Sequence, residues 1–297
     1  MLVSRFVMSL VVSAALLGGC AKPPSTQQAV SSFSARQVDT AVVTDTILPG
    51  SVPISRSQPM PTRVFSSTHL AGRTMAVAST TDIALRPGEV ILTFDDGPRP
   101  GRTNAILDTL DEFGVKATFL MLGKAAEAYP KMAQQVALRG HTIGSHTYDH
   151  TDLTTLTRQE ALDDFARGER AVAAALAGTG TAPSPFFRFP YLAQSGFLRT
   201  SMMQGNVVVL DVDIDSKDYY KDTPETVAAR TLARLDARGS GIILFHDIHA
   251  RTVAMLPGFL AELQARGYSV VRLAPKNTGI FGRDVITADG PTVRTTL

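Results

Sequence analysis

From Glu89 onward the chain alternates between short apolar runs and longer stretches whose apolar residues recur every three or four positions. The runs Glu89–Phe94, Ala117–Leu122, His141–Gly144, Phe186–Phe189, Val207–Val212, Gly241–Phe245 and Ser269–Leu273 have the length and composition of buried strands. Between them, Thr103–Phe113 sets Ile106, Leu107, Leu110 and Phe113 at helical spacing. Lys131–Leu138, Arg158–Ala177, Pro224–Ala237 and Thr252–Arg266 also read as helices. Gly114, Gly140, Gly239 and Gly267 follow helical patterns where a left-handed cap is expected. Strands alternating with helices predict an α/β fold, a mainly parallel sheet covered by helices. About seven strands suit a barrel short of the usual eight. No internal repeat is present.

The first part of the chain has a different texture. "MLVSRFVMSLVVSAALLGGC" begins with a positive charge at Arg5, continues as an apolar run from Phe6 to Leu17 and ends in small residues. That run is short of the roughly 20 residues a membrane-spanning helix needs, so it reads as an export signal. The segment "LLGGC" resembles a bacterial lipoprotein signal, and Cys20 is the only cysteine of the chain. The resemblance implies lipidation at Cys20, release of residues 1–19, and a protein exported and lipid-anchored to the bacterial cell envelope. With one cysteine there is no intrachain disulfide. Residues 20–84, with "KPPSTQQAVSSFSA" and "SVPISRSQPMPTR", read as a low-complexity tether. Residues 85–275 form the barrel, and 276–297 a C-terminal tail.

Hydrophobic residues make up 44% of the 297, enough for a sizeable core. The formal net charge is +2 with no basic stripe, which argues against nucleic acid as a partner.

The unusual polar residues fall at strand ends. The first strand runs into Asp95 and Asp96, two adjacent carboxylates that need a compensating charge or open water. "SHTYDH" carries His146 and His150, four apart, a spacing that lets both rings face one metal ion on a helical turn. "FFRFPY" places Arg188 among aromatics, "VVVLDVDIDSKDY" is crowded with carboxylates, and "GIILFHDIH" ends in His246, Asp247 and His249. In a parallel barrel the C-terminal strand ends share one face, so these distant segments are expected to meet at one mouth. Each signal alone is modest. Their joint occurrence, in this order and at strand ends, is hard to explain by chance.

The ordered set "TFDDGP", "SHTYDH", "RFPY", "DIDSKDY" and "ILFH", spanning Val90 to Leu273, resembles the polysaccharide deacetylase (NodB-homology) family of carbohydrate esterases. The resemblance implies a distorted (β/α)7 barrel, a divalent metal ion and removal of acetyl groups from polymeric sugars. It implies a metal triad of Asp96, His146 and His150. Asp95 would be the catalytic base, held by Arg188, and His246 the general acid, held by Asp218. Tyr191 would offer its backbone N–H to the oxyanion, and Leu244 would line the pocket for the acetyl methyl. The chain has no tryptophan, and Tyr219 stands where the family often has one, so it is expected to form part of the pocket wall. Asp213 and Asp215 crowd the same motif and leave open which aspartate meets His246. Tyr148, Tyr191, Tyr219 and Tyr220 fall near the expected mouth, as sugar-stacking groups or as rim packing.

The expected reaction is zinc-dependent hydrolysis of N-acetyl groups on an N-acetylglucosamine-type cell-surface or extracellular glycan; cobalt, nickel or manganese also suit such ligands. Two alternatives stand beside it. One is an O-acetyl esterase or other metal-dependent amidohydrolase on the same barrel. The other is a non-catalytic glycan-binding lipoprotein.

Overall fold

The computed structural model describes residues 69–276 and the backbone of 285–287 and 290–293. The export signal, Cys20 and most of the expected tether lie outside the described residues.

Along the chain the strands are β1 (Ala71–Val77), β2 (Glu89–Asp95), β3 (Thr118–Met121), β4 (Thr142–Ser145), β5 (Phe186–Phe187), β6 (Val208–Val209), β7 (Ile214–Asp215), β8 (Gly241–His246) and β9 (Ser269–Pro275). The helices are α1 (Thr103–Glu112), α2 (Gly123–Ala128), α3 (Pro130–Leu138), α4 (Arg158–Ala175), α5 (Gly196–Gln204), α6 (Pro224–Arg238) and α7 (Ala250–Ala265). Two further backbone stretches, β10 (Val285–Thr287) and β11 (Gly290–Val293), pair antiparallel. The pairings among β1–β9 are all parallel, as the alternation of strands and helices predicts. Among the described residues no helix is long and apolar enough to cross a membrane.

β2 is the hub. It pairs with β8 from Val90↔Gly241 to Asp95↔His246, and its second half pairs with β3. The ladder continues through β4 and β5 to β6, while β7 pairs with β8. The run expected at Val207–Val212 holds β6 alone and bonds toward β5, with Leu210 N–H donating to Phe187 C=O at 2.8 Å. β7 is an additional short strand just beyond it, where the chain bonds toward β8, with Asp213 N–H donating to Ile242 C=O at 3.0 Å. The hydrogen-bonded sheet is thus open between β6 and β7, and residues 210–213 link the two edges through the chain itself.

Side-chain alternation decides what the sheet encloses. Val90, Leu92 and Phe94 of β2 join Ile243 and Phe245 of β8 and Phe119 of β3 against α1 and α7, packed on Ile106, Leu107, Leu110, Leu256, Phe259 and Leu260. The intervening positions face the other way. Ile91, Leu120, Phe186, Val208, Leu210 and Ile242 form a second core with Val271 and Leu273 of β9. Continuing up β2 on that inner side, Thr93 and then Asp95 replace hydrophobic residues. The inner column therefore starts on an apolar floor and ends on a carboxylate.

Three further elements differ from the sequence reading. The expected tether runs to position 84, yet residues 71–77 form strand β1 on the edge of β9. Only Met75 and Val77 of that strand are buried, so its apolar signal is weak. What fixes it is polar: the Arg73 guanidinium clasps the nearly buried Glu89 carboxylate through Nε–Oε1 at 2.8 Å and Nη2–Oε2 at 2.9 Å. The short helices α2 and α5 are the other additions. Each begins at a glycine, which masks the helical pattern.

Candidate metal centre and flanking acid–base pair

At the top of β2 the backbone leaves the strand abruptly. Asp95 is its last residue and Asp96 takes φ +77, in the left-handed region. Thr147, His150, Tyr191 and Lys217 also have positive φ. For non-glycine residues this costs on the order of 1 kcal/mol each and persists where the surroundings over-determine it. Four of the five expected motifs thus carry a strained residue.

Asp96, His146 and His150 converge. Asp96 Oδ1 lies 3.6 Å from His146 Nε2 and 3.5 Å from His150 Nε2. All three offer a ligand atom within 4.8 Å of one another. These separations exceed hydrogen bonds, and Asp96 Oδ1 is buried with no hydrogen-bond partner among the described residues. Donors bound about 2.0–2.1 Å from a zinc ion at tetrahedral angles lie about 3.3 Å apart, so the spacing fits a shared cation. The tautomer fits too. His146 Nδ1 is 2.7 Å from the Arg188 carbonyl oxygen, which only accepts, so Nδ1 carries the proton and Nε2 keeps its lone pair. Burial, reinforced by neighbouring His146, holds His150 below its ordinary pKa and therefore neutral, as a ligand must be. The Tyr191 ring meets His150 edge-on at 4.5 Å. These residues fit a divalent metal ion.

Asp95 is 1% exposed and points into the same space, its Oδ2 3.8 Å from His146 Nε2. Its Oδ1 accepts from Arg188 Nη1 at 2.8 Å. Arg188 is itself 1% exposed, and it also donates from Nη1 to Thr93 Oγ1 at 2.9 Å and from Nε to Leu210 C=O at 3.0 Å. Thr93 in turn donates to Ile243 C=O at 2.7 Å. One residue thus serves both halves of the centre: the Arg188 side chain holds Asp95, and its carbonyl orients His146.

The β2–β8 register sets His246 beside Asp95. His246 Nδ1 lies 2.6 Å from Asp218 Oδ1, and the His246 backbone N–H donates to Asp218 Oδ2 at 2.8 Å. Thr252 Oγ1 donates to the same oxygen at 2.6 Å. Burial alone would lower the His246 pKa; the bond and charge of Asp218 more than reverse this, raising it to about 9. Asp218 is held below the usual carboxylate range: its burial is outweighed by the His246 contact, with help from Thr252. Of the three aspartates left open by the sequence, Asp218 meets His246. Asp213 accepts from Ile242 N–H and is paired with Arg238, while Asp215 accepts from Lys217 N–H and the Tyr219 hydroxyl.

Leu244 is buried on β8, and Tyr219 stacks edge-on against His246 at 5.6 Å and Tyr220 at 4.9 Å. Tyr191, Tyr219 and Tyr220 are exposed. Tyr148 is engaged elsewhere, with Arg167 over its ring and its hydroxyl on Glu127. Thr93 and Thr252 escaped the sequence reading. For Thr93 a signal existed: it is the inner-facing position two before Asp95. The half-buried His249 ring lies 5.7 Å from that of His246, and burial holds it below the ordinary histidine range. Asp247 is fully buried, and burial, offset in part by the Thr103 hydroxyl, pushes its carboxyl up to about 7.

Residues 83–208 match the sequence model of the family described as polysaccharide deacetylase. The chain is 33% identical over 184 residues to the peptidoglycan-N-acetylglucosamine deacetylase PgdA of Listeria monocytogenes, covering 62% of this chain but only 38% of that protein. It is 32% identical over 226 residues to a chitin deacetylase of Colletotrichum lindemuthianum, covering 70% of this chain and 89% of the relative. Among solved structures, the Bdellovibrio bacteriovorus peptidoglycan deacetylase Bd3279 superposes with a TM-score of 0.60 at 38% identity, over 70% of this chain and 57% of the other. The chain thus spans about two fifths of the Listeria protein's length.

Proposed function

We propose, from the premise that the chain belongs to the polysaccharide deacetylase family, that it hydrolyses N-acetyl groups on an N-acetylglucosamine-type glycan of the cell envelope, releasing acetate and leaving a free amine. The observation that carries the reading is the register of β2 and β8. It sets Asp95 and His246 side by side at the edge of the Asp96–His146–His150 cluster. A non-catalytic glycan binder has no use for a buried Arg188 on Asp95 or for a cationic His246.

Asp96, His146 and His150 would hold a divalent cation, zinc by the nature of its ligands. When bound, it polarises the acyl oxygen and acidifies water toward a pKa of about 7. The chain's own residues do the rest. Asp95, fixed by Arg188, takes a proton from the attacking water as the new C–O bond forms. The backbone N–H of Tyr191 would face the developing oxyanion; losing one such donor typically costs roughly 3–4 kcal/mol. His246, cationic through Asp218, gives its Nε2 proton to the nitrogen as the C–N bond breaks. Tyr219 and Leu244 line the space for the acetyl methyl.

Peptidoglycan and chitin deacetylases among the relatives support a polymeric N-acetylated substrate. The lipoprotein-like N-terminus supports export and a lipid anchor at Cys20. Acetate release from peptidoglycan, chitooligosaccharides and O-acetylated xylan, with the metal stripped and restored, tests the reaction. Metal-independent release, or release from the xylan alone, refutes it. Loss of membrane association in Cys20→Ser tests the anchor; unchanged association refutes it.

A further inference from the structure

The strand end that supplies His246 also sends a carboxylate the opposite way. Asp247 is 1% exposed. Its Oδ2 accepts from Thr103 Oγ1 at 2.6 Å. Thr103, fully buried at the start of α1, accepts in turn from Arg99 N–H at 2.7 Å. Asp247 N–H donates to Asp95 C=O at 3.3 Å. Its carboxylate also lies flat on Gly97: a Cβ placed there would meet Asp247 Oδ2 at 2.1 Å and Cγ at 2.4 Å. From the other side, Leu122 N–H donates to Gly97 C=O at 3.1 Å. The turn from Asp95 to Arg99 is therefore held at two points, Gly97 and Arg99, by one buried carboxylate and its threonine, and at two more by the backbone N–H groups of Asp247 and Leu122.

That turn carries Asp96, whose φ of +77 lies in the left-handed region and costs on the order of 1 kcal/mol. A buried carboxylate is costly, and this one spends its contacts on the turn. We propose that Asp247, acting through the Thr103 hydroxyl and the Gly97 backbone, is a positioning residue that aims the Asp96 carboxylate for cation binding. β8 thus sets the proton donor with one side chain and the metal-binding carboxylate with the next. The inference rests on the metal-centre reading above.

The test is zinc titration of the metal-stripped full-length chain against a chromophoric chelator, alongside its metal-free melting temperature. Thr103→Val, nearly isosteric, removes only the hydroxyl and should weaken zinc binding about 10- to 100-fold, whereas Thr103→Ser should stay within about twofold of wild type. Thr103→Val/Asp247→Ala should be no worse than Asp247→Ala alone, because both act along one path. A merely structural role would lower the melting temperature and leave zinc affinity in place. If wild type binds zinc and Thr103→Val matches it, or if Thr103→Ser fails to rescue, the positioning role is overturned while the metal centre stands. If wild type takes up no zinc, both fall.

Discussion

Asp218→Asn isolates the interaction that makes His246 an acid. The substitution keeps the shape of the side chain and removes the charge facing Nδ1 at 2.6 Å. In the wild type this pair, working against burial, raises His246 from the ordinary 6.5 to about 9. That interval corresponds to roughly 3 kcal/mol of preference for the cation. Without the carboxylate, only the charges of Asp96 and Asp95 still oppose burial, and the midpoint should fall well below the wild-type value. The sign of the stability effect follows. The His246 contribution is fully present below the unfolded value near 6.5 and is lost as pH rises through about 9. Imidazole proton resonances of the metal-stripped chain, followed against pH, report the midpoint directly. Denaturant curves between pH 6.5 and 9 should show wild-type stability falling by up to about 3 kcal/mol, with Asp218→Asn far flatter. A wild-type His246 that titrates below 6.5, or an unchanged midpoint in the variant, would show that Asp218 does not set this charge.

Asp95→Asn should lower acetate release by about 10²- to 10⁴-fold while zinc affinity, measured by chelator competition, stays near wild type; retention of activity removes Asp95 as the base. Gly168→Ala puts a Cβ 2.4 Å from the Thr147 carbonyl carbon, so it should push the loop between His146 and His150 outward. We expect a loss of about 1–3 kcal/mol in unfolding free energy together with weaker zinc binding, and a variant equal to wild type in both contradicts this packing. Arg73→Ala leaves the Glu89 carboxylate with only the Arg86 N–H as partner and should destabilise the chain by about 1–3 kcal/mol in urea melts without changing zinc affinity.

Much of the parallel sheet was legible because its strands are mostly apolar on both faces. β3 and β8 carry unbroken hydrophobic runs, β2 is broken only by Thr93 before Phe94 and β9 by Arg272, and the glycine after α6 marks where the chain turns into β8. β1 was not legible, because an edge strand with two buried residues is held by Arg73 and Glu89, a pairing that sequence periodicity does not encode. Of β6 and β7 only the first lies in the apolar run Val207–Val212, and β7 just beyond it is defined by its pairing with β8. At the site, the motif resemblance named the members of the cation cluster, but His146 and His150 meet Asp96 from an irregular loop, with Thr147 and His150 at positive φ, and not from the helical turn their spacing suggested. The choice of Asp218 over Asp213 and Asp215 depended on where Arg238 and Tyr219 took the other two carboxylates. Thr103, Thr252 and the grip of Asp247 were invisible, since a buried hydroxyl has no sequence pattern of its own.

The parity of β2 has a consequence for how this chain can vary over time. Because Ile91, Thr93 and Asp95 share one side and Val90, Leu92 and Phe94 the other, inserting or deleting one residue within the strand would exchange Phe94 for Asp95. A phenyl ring would then fill the mouth and a carboxylate would be driven under α1 and α7. Chemistry and folding would fail in the same step, so homologues should differ in length only in the connections around this strand.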